Sequence, residues 1–424
     1  MIKVLYIDGD GPFGGASRSL FEAVRALPIG SVTPHFAAVH GSALDVYKHV
    51  AIDSIATRGM TKFDNTRYSH YRGIRWLVLL REVFHFPFTV AILVKARRRW
   101  PDIDLIHVNE AVYIFPALIA KYLFKVPLVV HVRSLNQMDQ RSLRTRWLTS
   151  TLGRCADAIV AIDENTRATL SPELPVEVIR NSFTAKLAPR PDSHIVAKLD
   201  SLRPSSLKAG FVGNLHHSKG LFDMLEAAKL IRDAGRDVEF LIVGGVTIED
   251  KGLKAWALAR AGLAQNVQAE LAAQIEREGL GDCFHLLGAT LDIKCVYDRL
   301  DVLLFPSHYD APGRPVFEAA FSAVPSIVSV TKPFADTLVD GQTGIAIPAR
   351  DPAALACAIL HFADHPEEVK RMGTNARKLA KDNFYPPTNA KKLLEVYERT
   401  LRAAGRVVAE RQPVAGSSLY WCCS

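Results

Sequence analysis

The chain has only six cysteines in 424 residues: Cys155, Cys283, Cys295, Cys357, Cys422 and Cys423. Apart from the last two they stand far apart, with no CxxC pair and no run of histidines beside them. That spacing argues against a thiolate metal site and against a disulfide framework. An uninterrupted apolar run of roughly 20 residues, the length a membrane-spanning helix needs, is missing too. The nearest approach, residues 74–94 (IRWLVLLREVFHFPFTVAILV), is broken by Arg75, Arg81, Glu82 and Pro87. The first residues, MIKVLYIDGDG, carry acids where a secretory leader would carry a basic region ahead of an apolar stretch. The expected setting is a reducing cytoplasm.

What is present is ordinary globular composition, 49% hydrophobic and 23% charged. At this length one core is rarely enough, so two domains are expected. The net charge of +8 is unevenly spread. Residues 1–150 hold 20 Lys+Arg against 11 Asp+Glu, leaving 32 against 33 in the remainder. Much of the excess brackets residues 74–94, with Lys62, Arg67 and Arg72 before it and Lys95, Arg97, Arg98 and Arg99 after it. A basic apolar segment of this kind fits a helix lying on an anionic membrane or meeting an acidic acceptor. It fits a buried helix pair with a solvated basic end equally well.

Apolar runs alternate with helical spacing along the chain. Residues 3–7, 105–108, 128–132 and 158–162 read as short strands, and a second series occupies residues 209–212, 239–243, 285–287, 302–305, 326–330 and 344–347. This alternation predicts parallel sheets covered by helices on both faces. The expected organisation is an N-terminal Rossmann-like acceptor domain at 1–185, a Pro- and Ser-rich linker at 186–207, and a C-terminal donor domain at 208–385. A helix and tail at 386–424 would return toward the first domain. Residues 254–278 read as an Ala-rich amphipathic insert, and 406–424 show no pattern. In doubly wound domains ligands bind outside the strand C-termini, so two such crevices would face one another.

Three loops carry chemistry. Gly9-Asp10-Gly11-Pro12-Phe13-Gly14, continuing into Gly15 and Ser17, stands between a strand and a helix and offers backbone N–H groups to an anion. A dinucleotide site also wants an acid about 20 residues on, and the corresponding HFAAVHG has none. A tight structural turn would explain the glycines alone. Gly213 and Asn214 open the second loop, which places Lys219 at the start of a helix, suited to a leaving diphosphate; an exposed loop lysine is the plain alternative. The third is Pro306-Ser307-His308-Tyr309-Asp310-Ala311-Pro312-Gly313-Arg314-Pro315-Val316-Phe317-Glu318. It sets one carboxylate in a loop and one on a helix, with the Gly313 and Arg314 amides between them, a layout for a polyhydroxylated ligand with a central anion.

Together these segments resemble the large retaining glycosyltransferase family numbered four, whose architecture is GT-B, two doubly wound Rossmann-like domains across a cleft. The family's paired acids appear as Asp310 and Glu318 with Gly313, and Asp310 replaces the more usual glutamate. Its phosphate loop appears as Gly213 through Lys219-Gly220, with Asn214 where arginine is common. Residues 339–344 (VDGQTG), 178–181 (VIRN) and 130–133 (VHVR) are further similar features. The resemblance implies that Glu318 holds the donor ribose, Asp310 the transferred sugar, and Lys219 with the Gly313 and Arg314 amides the diphosphate. Gly14, Gly15 and Pro315 would complete the donor site, and Ser17, His131 and Arg133 the acceptor side. His131 reads equally as a histidine packed at a strand end.

The implied substrates are a UDP- or GDP-type sugar and a glycan, lipid-linked or polysaccharide-precursor hydroxyl, with no cofactor, metal or nucleic acid. Peripheral contact with the inner membrane is also expected. Three rivals remain: an epimerase of the same architecture, a nicotinamide oxidoreductase, and a non-catalytic sugar-nucleotide-binding protein.

Overall fold

The computed structural model describes residues 1–67, 78–139, 141–184, 192–245, 267–290 and 292–406. Two parallel sheets organise them. The first has seven strands: β1 (Ile2–Asp8), β2 (Val32–Val39), β3 (Asp53–Thr57), β4 (Leu105–Val108), β5 (Leu128–Val132), β6 (Ala158–Ala161) and β7 (Val176–Val178), in the order β3-β2-β1-β4-β5-β6-β7. The second has six: β8 (Leu207–Val212), β9 (Val238–Val243), β10 (Phe284–Gly288), β11 (Val302–Phe305), β12 (Ser326–Ser329) and β13 (Gly344–Ile347), in the order β10-β9-β8-β11-β12-β13. Both orders reverse direction beside the first strand of the sheet, which makes a topological switch point at the end of β1 and another at the end of β8.

The central strands are apolar because both faces are covered. LIHV of β4, LVVHV of β5 and VLLF of β11 are buried at every position. One face of the first sheet packs Ile7, Ile106 and Val130 against Ile92, Leu93 and Leu152 of its helices. Its other face packs Val4 and Tyr6, with Leu20 of the helix Gly15–Arg25, against Leu393, Leu394 and Tyr397. Those last three belong to the helix Pro386–Ala403, so the chain's final helix completes the core of the first domain. The passage between domains is pinned by Phe183 N donating to Phe384 O at 3.3 Å and by Asn389 Nδ2 donating to Asn181 O at 3.3 Å.

Strands β3 and β7 and the start of β2 escape the sequence pattern, β2 because Pro34 and His35 interrupt its apolar run, the others because they are edge strands, DSIAT and VEV, with polar residues and partial burial. Residues 78–99 form one helix, Val78–Arg99, continuing through Pro87, in place of a helix pair. The loss of one backbone hydrogen bond at proline is met by packing of Ile92, Leu93 and Ala96 into the core. Leu79, Leu80, Val83, Phe84 and Phe86 on the same helix are exposed. Among the described residues no helix is long and apolar enough to cross a membrane. Most of the predicted insert, from 254 to 266, and residues 407–424 of the tail lie outside the described residues.

Candidate functional site at the meeting of the two domains

Gly313 is the N-cap of the helix Arg314–Phe321, and Gly14 is the N-cap of the helix Gly15–Arg25. The two helix N-termini lie together: a Cβ placed on Gly15 would stand 3.6 Å from Arg314 Cδ. Each N-terminus presents unpaired N–H groups and the positive end of its helix dipole. Gly313 is fixed by space, since a Cβ there would sit 2.4 Å from the Phe305 ring.

Lys219 reaches the same place from the loop after β8. Its Nζ is 5.3 Å from the centroid of the Phe305 ring and 5.4 Å from that of Tyr309. Gly220 sets this approach with φ 74° in the left-handed region, where any Cβ would be 2.0 Å from Pro306 O. Among the described residues no carboxylate pairs with Lys219. Burial lowers its pKa without a partner to restore it.

Asp310 follows Tyr309, and its Oδ1 accepts from Thr331 N at 2.6 Å. That bond to the loop beyond β12 fixes the carboxylate. Glu318 is buried, with Tyr297 hydroxyl donating to Oε2 at 3.0 Å and Arg314 Nε donating to Oε1 at 3.0 Å. Arg18 of the first domain stands 3.9 Å from the same carboxylate. The side chain of Arg314, read from sequence only for its amide, is partly buried and bonded across the domain boundary to Ser19 and Glu22. Pro315 occupies the first turn of that helix, and Asn214 is exposed in the loop after Gly213.

The acceptor-side candidates sit differently. Ser17 is buried and its hydroxyl serves the glycine loop, accepting from Gly14 N at 2.8 Å and donating to Gly14 O at 3.1 Å. His131 is buried at the end of β5, stacked on His107 with ring centroids 5.4 Å apart, and its Nδ1 faces Arg133 Nη2 at 3.3 Å. Desolvation first, then the Arg133 charge, holds it neutral. Arg133 is spent inside the domain, donating to Asn109 Oδ1 at 2.6 Å and Asn181 Oδ1 at 2.9 Å. The Ser17 hydroxyl and the Arg133 guanidinium are therefore bonded within the first domain. His131 Nε2, like His107 Nε2 beside it, has no partner among the described residues.

Around Arg133 the first domain keeps a buried polar cluster, of which the sequence motifs mark only Asp10, His131 and Arg133. Glu110 accepts from the amides of Ala111 and Arg133 and from Ser134 Oγ, at 2.8, 3.1 and 2.8 Å, and desolvation raises its pKa to about 7. Asp8 bonds Tyr47 and Asn109, and desolvation together with neighbouring Asp10 raises it to about 6. Nearer the surface, Asp10 takes Lys62 Nζ at 2.9 Å and Tyr113 hydroxyl at 2.6 Å. Despite desolvation, those two partners hold it below its usual range. Their positions at the ends of β1 and β4 are local; their convergence with residues 23 to 103 positions away is not. Among the described residues no three His, Cys, Asp or Glu side chains gather as metal ligands would.

Two doubly wound domains meeting at their strand C-termini, with helix N-termini and a lysine at the junction, define the GT-B class of glycosyltransferase. Family models agree along nearly the whole chain. Glycosyltransferase Family 4 matches residues 13–183 and Glycosyl transferases group 1 matches residues 200–379; the chain belongs to this family and is a glycosyltransferase. Glycogen synthase of Mycobacterium tuberculosis is 24% identical over 74% of this chain and 72% of its own length. The lipopolysaccharide core biosynthesis mannosyltransferase LpcC of Rhizobium leguminosarum bv. viciae is 25% identical over 67% and 75%. Among solved structures, Anabaena HepE in complex with UDP-glucose matches with a TM-score of 0.69 at 19% identity, covering 94% of this chain and 100% of that one. Sucrose-phosphate synthase of Thermosynechococcus elongatus matches with 0.69 at 19% identity, covering 95% and 100%. These structures share the fold.

Proposed function

We propose that the protein transfers a glycosyl group from a UDP- or GDP-sugar to a hydroxyl of a glycan, lipid-linked glycan or polysaccharide precursor, with retention of anomeric configuration. The observation that carries this reading is Lys219. A half-buried ammonium without a carboxylate partner among the described residues, over the Phe305 ring against which the Gly313 N-cap packs, is a place made for a diphosphate. Glu318 and Asp310 flank that place with carboxylates able to accept hydroxyl hydrogen bonds, one for the ribose and one for the sugar. As negative charge grows on the leaving diphosphate, the ammonium and the helix N-termini stabilise it. The diphosphate oxygen then takes the proton of the incoming hydroxyl on the same face, so no enzyme nucleophile is required.

The epimerase reading asks for acids facing the sugar, and here Asp8 and Glu110 are spent on Tyr47, Asn109, Ser134 and backbone amides. An envelope-related acceptor is supported by relatives named for lipopolysaccharide core and capsular polysaccharide biosynthesis. Membrane contact is supported by the exposed apolar residues of Val78–Arg99 and by Lys95 and Arg98, exposed near its end. Melting the protein with a panel of UDP- and GDP-sugars is the direct test: a donor raises the melting temperature of the wild type and leaves Lys219→Ala unmoved. A panel in which no nucleotide sugar shifts the wild type overturns the reading.

A further inference from the structure

The guanidinium of Arg314 is divided between the two domains. Toward its own helix, Nε donates to Glu318 Oε1 at 3.0 Å and Nη2 stands 2.9 Å from the same oxygen. Toward the first domain, Nη1 donates to Ser19 Oγ at 2.6 Å and Nη2 to Glu22 Oε2 at 2.8 Å. Ser19 and Glu22 lie on one face of the helix Gly15–Arg25, the helix whose N-terminus faces the diphosphate place. Arg18 closes the circuit, 3.3 Å from Glu22 Oε1 and 3.9 Å from Glu318 Oε1. Two carboxylates and two guanidinia balance, and the side chains of Glu22, Arg314 and Glu318 are 8%, 13% and 4% exposed. Tyr297 holds Glu318 Oε2 from the other side.

We propose that Arg314 is a positioning residue whose guanidinium, shared between Glu22 and Glu318, makes closure of the two domains and the readiness of Glu318 for the donor one event. The proposal rests on the reading of Glu318 as the ribose-holding carboxylate. Its physical basis is competition for a single cation. While Glu22 and Ser19 take half of the fork, Glu318 is oriented by Arg314 and Tyr297 yet keeps lone pairs and net charge for two hydroxyls. When the domains part, or when Glu22 is neutralised, Arg314 is left as an i,i+4 partner to Glu318 alone, and an arriving ribose must displace it. A lysine cannot serve, because a single ammonium does not span two carboxylates and a hydroxyl in fixed directions.

The test uses the full chain, with UDP and GDP titrated separately by calorimetry and the ligand-free protein measured by small-angle scattering. Glu22→Gln and Arg314→Lys each weaken binding of the diphosphate that the wild type prefers by about tenfold, enough to read as one pKd unit. Both enlarge the ligand-free radius of gyration. Ser19→Ala acts in the same direction more weakly, and Glu22→Asp, which keeps the charge, restores most of the affinity. The Glu22→Gln/Arg314→Lys pair binds no worse than the weaker single variant, since both remove one linkage. A Glu22→Gln protein that melts like the wild type and binds with unchanged affinity overturns the proposal, as do two losses that multiply. Glu318→Gln separates the two readings: if it retains full affinity, the ribose assignment falls, whereas if it loses affinity while Glu22→Gln does not, only the coupling falls. A wild type that binds neither diphosphate overturns both.

Discussion

The hydroxyl of Tyr297 donates to Glu318 Oε2 at 3.0 Å, both groups buried, so the orientation of the paired-acid glutamate is set by a residue 21 positions earlier in the chain. A hydrogen bond to a charged acceptor is worth about 1.5–3 kcal/mol. Tyr297→Phe therefore weakens UDP or GDP binding by roughly tenfold or more while the fold persists, which calorimetry and circular dichroism together read. Unchanged affinity would show that Glu318 is oriented without it.

Lys219→Ala and Glu318→Ala each abolish turnover of the donor found by thermal shift, and neither unfolds the protein. The first removes the diphosphate's cation; the second removes the ribose acceptor and frees Arg314 to Glu22. Melting curves beside product assays check both, and turnover retained in both variants refutes the site.

Gly313→Ala places a methyl 2.4 Å from the Phe305 ring at the start of the Arg314 helix. The helix N-terminus must shift, and donor affinity falls by about tenfold or more because its amides are no longer aimed at the phosphates. Nucleotide titration of the variant gives the answer, with wild-type affinity as the contrary result.

Glu110 has a pKa raised from 4.5 to about 7 in the folded state. The folded protein thus holds a proton that the unfolded chain has released between those two values, so this group's contribution to stability falls as pH rises from about 4.5 to about 7 and is constant beyond them. Replacing it by Gln flattens the decline between pH 5 and 8 by about 2 kcal/mol, from 1.36 kcal/mol per pKa unit. His107, lowered to about 3 by desolvation and then by Arg133, acts in the opposite sense: its contribution is lost as pH falls below about 6.5. Urea unfolding of wild type and Glu110→Gln across that range checks the sign.

Sedimentation with vesicles containing anionic lipid is expected to carry the protein down at low salt and release it at high salt, with about 1 kcal/mol per basic residue near the surface. The double variant Leu80→Ser/Phe84→Ser, which alters exposed positions of Val78–Arg99, loses that association. Protein that stays in the supernatant at low salt rules membrane contact out.

Strands β4, β5 and β11 are legible residue for residue, because a strand buried on both faces is predominantly apolar and its ends are marked by polar or glycine loops. The start of strand β2 is obscured because Pro34 interrupts its pattern, and pairing with β1 and β3 shows its full length. Among the site residues, Gly313, Glu318 and Lys219 stand out by their loops and spacing. Ser17 and Arg133 are implied only by the resemblance, and their polar groups bond Gly14, Asn109 and Asn181.

What the sequence determined by itself is the alternation of strand and helix in two series and the three loops that end their strands, since these follow from local apolar period and from glycine's and proline's backbone preferences. What tertiary structure alone decided is which charges share partners. Glu22 and Arg314 are 292 residues apart, and Tyr397 meets His107 across 290. Such pairs leave no mark on local spacing, because the energy that joins them appears only when burial strips away water and makes every unpaired charge costly.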